Sequence, residues 1–333
     1  MSERSMRDER EPLVIAEQGH FFTGIRRRES PFGESVTGTH VEYQAPQSVT
    51  RGQLVLVHGG GGQALDMLTT PDGREGWSTL FLRDGFAVYT VDRPGLGRSP
   101  YHPALWGGEM GPPAGYAGFV ATFAGPAPEG FPPHTQWPGS GDSADPALET
   151  FLAWQEPFGG GSLERAHEDM RDGATGLLDR IGPSVLLTHS TGGGFGWLAA
   201  SERRSQVKAI VAVEPAGPPY TTIPGVGHFA RGLTSLPLTF GPEEHEGKLD
   251  GLPVAVVSAE SSGFGPSCGA TAEFLRRCGA DVTELRLGEL GIHGNGHAMM
   301  LEKNNAEVAA AITGWITSAV TGSPDPISLT STN

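Results

Sequence analysis

The 333 residues carry a formal net charge of −15 at pH 7, from 38 acidic against 23 basic side chains. That balance disfavours nucleic acid and anionic membrane surfaces as partners and mainly keeps the chain soluble. The length suits two average domains or one α/β domain with insertions, and no apolar run approaches the roughly 18 residues of a membrane span.

Residues 1–12 are charged, lack the apolar core of a signal peptide and read as a mobile arm, so a cytoplasmic location is the expectation; a processed mature chain would begin no differently. Phe21–Ile25 and His40–Tyr43 alternate as an antiparallel lead-in hairpin. Gln53–His58 is a fully apolar strand, of the kind covered on both faces in a parallel sheet, and runs into four glycines, Gly59 to Gly62. A helix over Trp77–Arg83 and a strand over Phe86–Val91 lead to the turn Asp92-Arg93-Pro94-Gly95-Leu96-Gly97-Arg98-Ser99.

From about 100 to 161 the pattern dissolves into Gly and Pro, yet the stretch holds Trp106, Phe119, Phe123, Trp137 and Trp154. A disordered linker would be poor in aromatics. The stretch is expected to fold over the sheet as a cap, with these five side chains walling the substrate pocket. A helix over Leu163–Ile181 leads to the strand Val185–Leu187, which breaks at Thr188-His189-Ser190-Thr191-Gly192 before another helix. The strand Val207–Val213, a second irregular stretch at 215–250 and the strand Val254–Val257 follow. A helix near Ala270–Cys278, the strand Val282–Leu287, a Gly-His loop, a helix over Asn305–Ala319 and a loose tail at 321–333 complete the chain. This alternation predicts a doubly wound, mostly parallel α/β sheet over 13–320 with cap insertions. Cys268 and Cys278 flank a predicted helix and read as two free thiols.

A strand that turns sharply into a helix lifts the apical side chain into the open and aims the first helical N–H groups at its target. Ser190 occupies that apex, although S-x-G also describes a serine in an ordinary βα loop. A serine hydroxyl needs a base, the base an orienting acid, and the reaction a place for the oxyanion. His297, in a Gly-rich loop after the last strand, is the candidate base, with an acid limb expected at about pH 6–7. Glu214 and Glu260 each follow an apolar strand, and residue chemistry does not decide between them. Gly60 and Thr191 are the candidate oxyanion donors, with Gly61 as a third, because glycine lets backbone N–H groups approach a substrate. His293 lies four residues before His297, but a glycine-bearing loop does not align the two as metal ligands. The four-glycine turn lacks G-K-[ST] and G-x-G-x-x-G, so a phosphate loop is disfavoured. No cofactor and no metal are expected. His58 and His189 read as loop braces, and Asp92, Arg93 and Arg98, like Arg74 and Asp72, as Arg–carboxylate braces.

His58-Gly-Gly-Gly, the turn 92–99, the Ser190 turn and Gly296-His297 together resemble an α/β-hydrolase-fold serine hydrolase over roughly residues 20–320. The run Thr69-Thr-Pro-Asp-Gly-Arg-Glu-Gly-Trp77 resembles a narrower subgroup of bacterial esterases of that fold. In that subgroup the triad acid follows the sixth strand rather than the seventh, which points to Glu214. Thr188 departs from the glycine usual at the start of the serine turn, and the four-glycine oxyanion turn departs in length. The resemblance implies a small ester substrate cleaved through an acyl-enzyme. Amidase, lactonase or C–C hydrolase activity, a repurposed lyase or cyclase, and a ligand-binding protein remain alternatives of the fold. A homodimer is compatible with the sequence, which sets no oligomeric state.

Overall fold

A computed structural model of the protein describes residues 11–109, 111–112, 115–157, 161–238 and 249–321. Residues 1–10 of the expected arm, 239–248 of the second irregular stretch and 322–333 of the expected tail lie outside the described residues.

The strands of the main sheet are Ile15–Ser30 (β1), Gly33–Pro46 (β2), Gly52–Val57 (β3), Phe86–Asp92 (β4), Ser184–His189 (β5), Val207–Val213 (β6), Pro253–Ser258 (β7) and Asp281–Arg286 (β8). Among the described residues they form one eight-stranded sheet in the order β1-β2-β4-β3-β5-β6-β7-β8. β2 is antiparallel to β1 and β4; every pair from β4 to β8 is parallel. The lead-in hairpin is longer than its apolar segments, because polar residues such as Arg26, Arg27 and Arg28 continue the pairing at the sheet edge.

Period-two alternation gives each central strand two buried faces. Val55, Val57, Leu186, Ile210 and Ala212 point into one core; Leu54, Leu56, Leu187, Val211 and Val213 point into the other. The longer helices are Trp77–Arg83 (α1), Pro146–Ala153 (α2), Leu163–Ile181 (α3), Gly193–Glu202 (α4), Gly265–Arg277 (α5) and Asn305–Thr321 (α6). Met170, Ala174, Leu177 and Leu178 of α3 join α4 and α5 in the first core; Trp77 and Phe81 of α1 and Val308 and Ile312 of α6 fill the second. The sheet is therefore doubly wound. Ser162 caps α3, its hydroxyl accepting from Arg165 N at 3.2 Å. α5 begins earlier than the helix expected near Ala270, because Pro266 sits in its first turn, where a missing N–H costs nothing.

Register positions the site. Val57 pairs with Thr188, His189 with Val213, and Val213 with Val257, so β3, β5, β6 and β7 end nearly flush. The loops carrying Gly59, Ser190, Glu214 and Ala259 thus leave the sheet at one edge. The chain passes from β3 to β4 on one side and from β5 to β6 on the other. A crevice opens at such a reversal of strand order.

Candidate active site

β5 enters α4 through a single tight turn, Ser190–Gly192. Ser190 adopts φ 51°, a left-handed conformation that costs a non-glycine residue about 1–3 kcal/mol and is held only by its surroundings. Ala216 N donates to the Ser190 carbonyl at 3.0 Å and pins the turn to the loop after β6. Gly192 is obligatory, since a Cβ there would lie 2.4 Å from the His58 carbonyl oxygen. Thr188 fits in place of the usual glycine because Gly196, one turn into α4, leaves room: a Cβ at 196 would sit 3.2 Å from Thr188 Cγ2.

His297 and Glu214 meet across the cavity floor. His297 Nδ1 donates to Glu214 Oε2 at 2.5 Å, and both side chains are buried. Ser262 Oγ donates to the same carboxylate oxygen at 2.7 Å, and Ala259 N to the other at 3.0 Å. The imidazole stacks on Phe264, with centroids 3.9 Å apart, and faces Phe123 at 5.6 Å. Burial holds the imidazole well below its ordinary value and keeps it neutral. Burial also pushes the Glu214 carboxyl up, against the hydrogen bonds of Ser262 and Ala259. The other strand-end carboxylate faces elsewhere. Glu260 accepts from Gly294 N at 2.9 Å and pairs with His293 Nδ1 at 3.1 Å, an exposed imidazole.

The His297 loop is tied down by a carboxylate that the sequence pattern did not single out. Buried Glu302 accepts from Gly296 N at 2.8 Å, Asn295 Nδ2 at 2.7 Å and His134 Nε2 at 2.9 Å. Arg74 holds the next turn through the carbonyls of Leu301 and Glu302 while pairing with Asp72 at 2.7 Å. His189 Nε2 donates to the His297 carbonyl at 3.0 Å, and His58 Nε2 accepts from Arg93 N at 3.0 Å.

A cavity of about 430 Å³ brings Ser190 and His297 together under Phe119, Phe123, Phe151 and Phe264. A smaller chamber of about 110 Å³ adjoins it and shares Gly60, Thr191 and Val226 as a dividing wall. Gly60 and Thr191 therefore border both spaces; Gly61 borders only the smaller one, and its carbonyl accepts from Glu156 N at 2.7 Å.

The expectation that five aromatics wall one pocket needs correction. Phe119 and Phe123 line the large cavity and Trp106 the small chamber. Trp137 and Trp154 line neither, because each indole N–H is drawn to a carboxylate: Trp137 Nε1 to Asp145 Oδ2 at 2.7 Å, Trp154 Nε1 to Asp66 Oδ1 at 2.9 Å. Trp137 braces the 100–161 stretch internally, and Trp154 ties it to the segment after β3. The Asp92–Arg93–Arg98 brace is also only partly as expected. Arg98 Nε donates to Asp92 Oδ2 at 2.6 Å, whereas Arg93 turns the other way.

The family model for the alpha/beta hydrolase fold matches residues 53–233. The chain belongs to the alpha/beta-hydrolase family. Among the relatives of this hydrolase is a probable secreted lipase, phiG, of a fungal species (strain ATCC 74256), 36% identical over 319 residues that cover 83% of this chain and 85% of the relative. A novel bacterial esterase solved at atomic resolution superposes with a TM-score of 0.74 at 26% identity, over 93% of this chain and 98% of that one. Carboxyl esterase 2 of the fungus Tuber melanosporum shares the fold, with a TM-score of 0.50 at 13% identity over 91% and 86% of the two chains.

Residues of the hydrolase site that sequence reading passed over have weak signals. Ser261 and Ser262 belong to no motif and are polar, yet both are buried and Ser262 grips Glu214. Phe264 gave no period to follow. Glu302 and His134 lie 168 residues apart, and only the fold brings them together.

Proposed function

We propose that this carboxylic ester hydrolase works through an acyl-enzyme on Ser190, with His297 as base and Glu214 as orienting acid. What carries the reading is the shared cavity: a strained serine turn and a buried imidazole–carboxylate pair open into one apolar space. His297 Nε2 takes the hydroxyl proton as Ser190 Oγ attacks the ester carbonyl carbon. The tetrahedral oxyanion is met by the backbone N–H groups of Gly60 and Thr191, with Gly61 the remaining candidate. Collapse breaks the bond to the alkoxy oxygen, which leaves with the proton from His297. Water then attacks the acyl carbon, giving its proton to His297, and releases the acid and free Ser190. Glu214 keeps the Nδ1–H tautomer and stabilises the imidazolium that forms at each step.

In this reading 100–161 acts as the cap, and the acid follows the sixth strand as in the esterase subgroup that Thr69–Trp77 resembles. Esters are preferred over amides, lactones or C–C bonds because the fungal relative is named a lipase and the bacterial neighbour an esterase. No described helix is long and apolar enough to cross a membrane. The cytoplasmic location expected from the charged start of the chain stands against the secretion named for the fungal relative, and fractionation of the source cells decides between them. Replacing Ser190 by Ala should keep the fold and lower kcat by about 10⁶ on p-nitrophenyl esters. A variant keeping a tenth of the activity would overturn the assignment, and faster turnover of matched amides or lactones would change the substrate class.

A further inference from the structure

The chamber beyond Gly60 and Thr191 is electrostatically unlike the rest of this acidic protein. Arg93 borders it, only 4% exposed. One guanidinium nitrogen donates to the Gly59 carbonyl, while Nε has no hydrogen-bond partner among the described residues. Asp92, its sequence neighbour, is spent on Arg98 and on Ala64 N, at 2.6 and 2.8 Å. No carboxylate among the described residues lies within 4.0 Å of Arg93, and the field of Asp66 reaches it only from further off. Desolvation lowers Arg93 to about 10, which leaves it charged at neutral pH. A buried cation without a counter-ion is costly unless something pairs with it.

A second donor borders the same space. His167 Nδ1 accepts from Ser235 N at 3.0 Å, which fixes the tautomer and puts the ring hydrogen on Nε2. That N–H has no partner among the described residues, and burial lowers His167 to about 4, so the ring is neutral. The buried Thr191 hydroxyl, in the dividing wall, is likewise unpartnered. No Asp or Glu is found among the described lining residues; the remainder of the wall is largely apolar, with Leu96, Met170 and Phe229. At about 110 Å³ the chamber holds several times the roughly 10–15 Å³ that one water requires.

We propose that this chamber receives a carboxylate of the substrate, so that the preferred substrates are esters bearing a carboxylate a few carbons from the scissile bond, such as half-esters of dicarboxylic acids. The inference rests on hydrolysis at Ser190, since the dividing wall is where the scissile carbonyl would sit. Arg93 then supplies the charge, and His167 Nε2 supplies a neutral donor. The reaction is plain hydrolysis: water enters, the alcohol leaves, and the carboxylate is untouched.

The direction of the effect is diagnostic, because a merely apolar chamber would reject the charged substrate through desolvation. A pH-stat assay compares monomethyl glutarate with methyl pentanoate, and 4-butanoyloxybutanoate with butyl butanoate, covering the acyl and alcohol sides. The expected result is a kcat/KM advantage of about tenfold or more for the anionic member of at least one pair, collapsing in Arg93→Met and partly restored in Arg93→Lys. Taking the ratio cancels any general loss of activity in the variants. Glutarate, but not 1,5-pentanediol, should also bind the wild-type protein in calorimetry, a readout needing neither turnover nor a folded variant. Neutral esters preferred in both pairs, with no glutarate binding, would overturn the chamber assignment while leaving the hydrolase reading intact. If no ester is turned over, the hydrolase reading fails instead, and glutarate binding alone decides whether the chamber takes a carboxylate.

Discussion

Replacing Glu214 by Gln separates the two candidate acids by mechanism. The Glu214 carboxylate accepts from three donors, at 2.5 Å from His297 Nδ1, 2.7 Å from Ser262 Oγ and 3.0 Å from Ala259 N. A glutamine fills the same volume with one acceptor oxygen, so its NH₂ must face a donor. If the oxygen stays with Ala259 N, the NH₂ meets His297 Nδ1 and forces the imidazole to accept there. Nε2 then carries the hydrogen and no longer takes the Ser190 proton. In serine triads that tautomer error costs about 10⁴ in kcat, or about 5.5 kcal/mol of barrier. Glu260 makes its bonds to Gly294 N and to exposed His293, away from His297, so Glu260→Gln should cost less than about tenfold, or about 1.4 kcal/mol. Stopped-flow release of p-nitrophenol reads both variants, with circular dichroism checking the fold. A smaller loss in Glu214→Gln than in Glu260→Gln would refute the reasoning.

Further outcomes follow from the same geometry. As the proposed base His297 must be neutral, and burial lowers its pKa, so the acid limb of kcat/KM should lie below the pH 6–7 of an ordinary imidazole. A limb at pH 6.5 or above would show that Glu214 outweighs burial. Phe123→Ala, beside the imidazole, should change acyl-length preference, whereas Trp137→Ala should lower stability by about 3–5 kcal/mol in urea titration with preference unchanged. The reverse pattern would put Trp137 in the pocket wall. Glu302→Gln should cost about 1–3 kcal/mol of stability and lower kcat more than it raises KM, since Glu302 holds the His297 loop rather than substrate. A pure KM effect would place it in the binding wall instead.

What was legible in the sequence was what periodicity and turn chemistry encode. The apolar runs at Leu54–Val57, Val185–Leu187 and Ile210–Val213 gave the central parallel strands and hence the edge where Ser190 and Glu214 emerge. The glycines around Ser190 gave the sharp turn. Side-chain direction was not legible. Asp92 and Arg93 are adjacent in sequence, yet one faces Arg98 and the other the side chamber, because successive residues leave a strand end on opposite sides. The same limit hid the fate of the aromatics in the 100–161 stretch. Trp137 and Phe123 are alike in hydrophobicity, and only the position of Asp145 draws one inward, away from the cavity. Glu302 and Ser262 were missed because their partners are set by tertiary contacts, not by local spacing.

The central claim is that Ser190 is an activated nucleophile in this cavity. Brief exposure to a fluorophosphonate, followed by intact-mass and peptide mass spectrometry, tests it most directly. The expected result is one adduct per chain, on the peptide bearing Ser190, formed rapidly by the wild type, absent in Ser190→Ala and strongly slowed in Glu214→Gln. No adduct, or an adduct on another residue with Ser190 unmodified, would contradict the account.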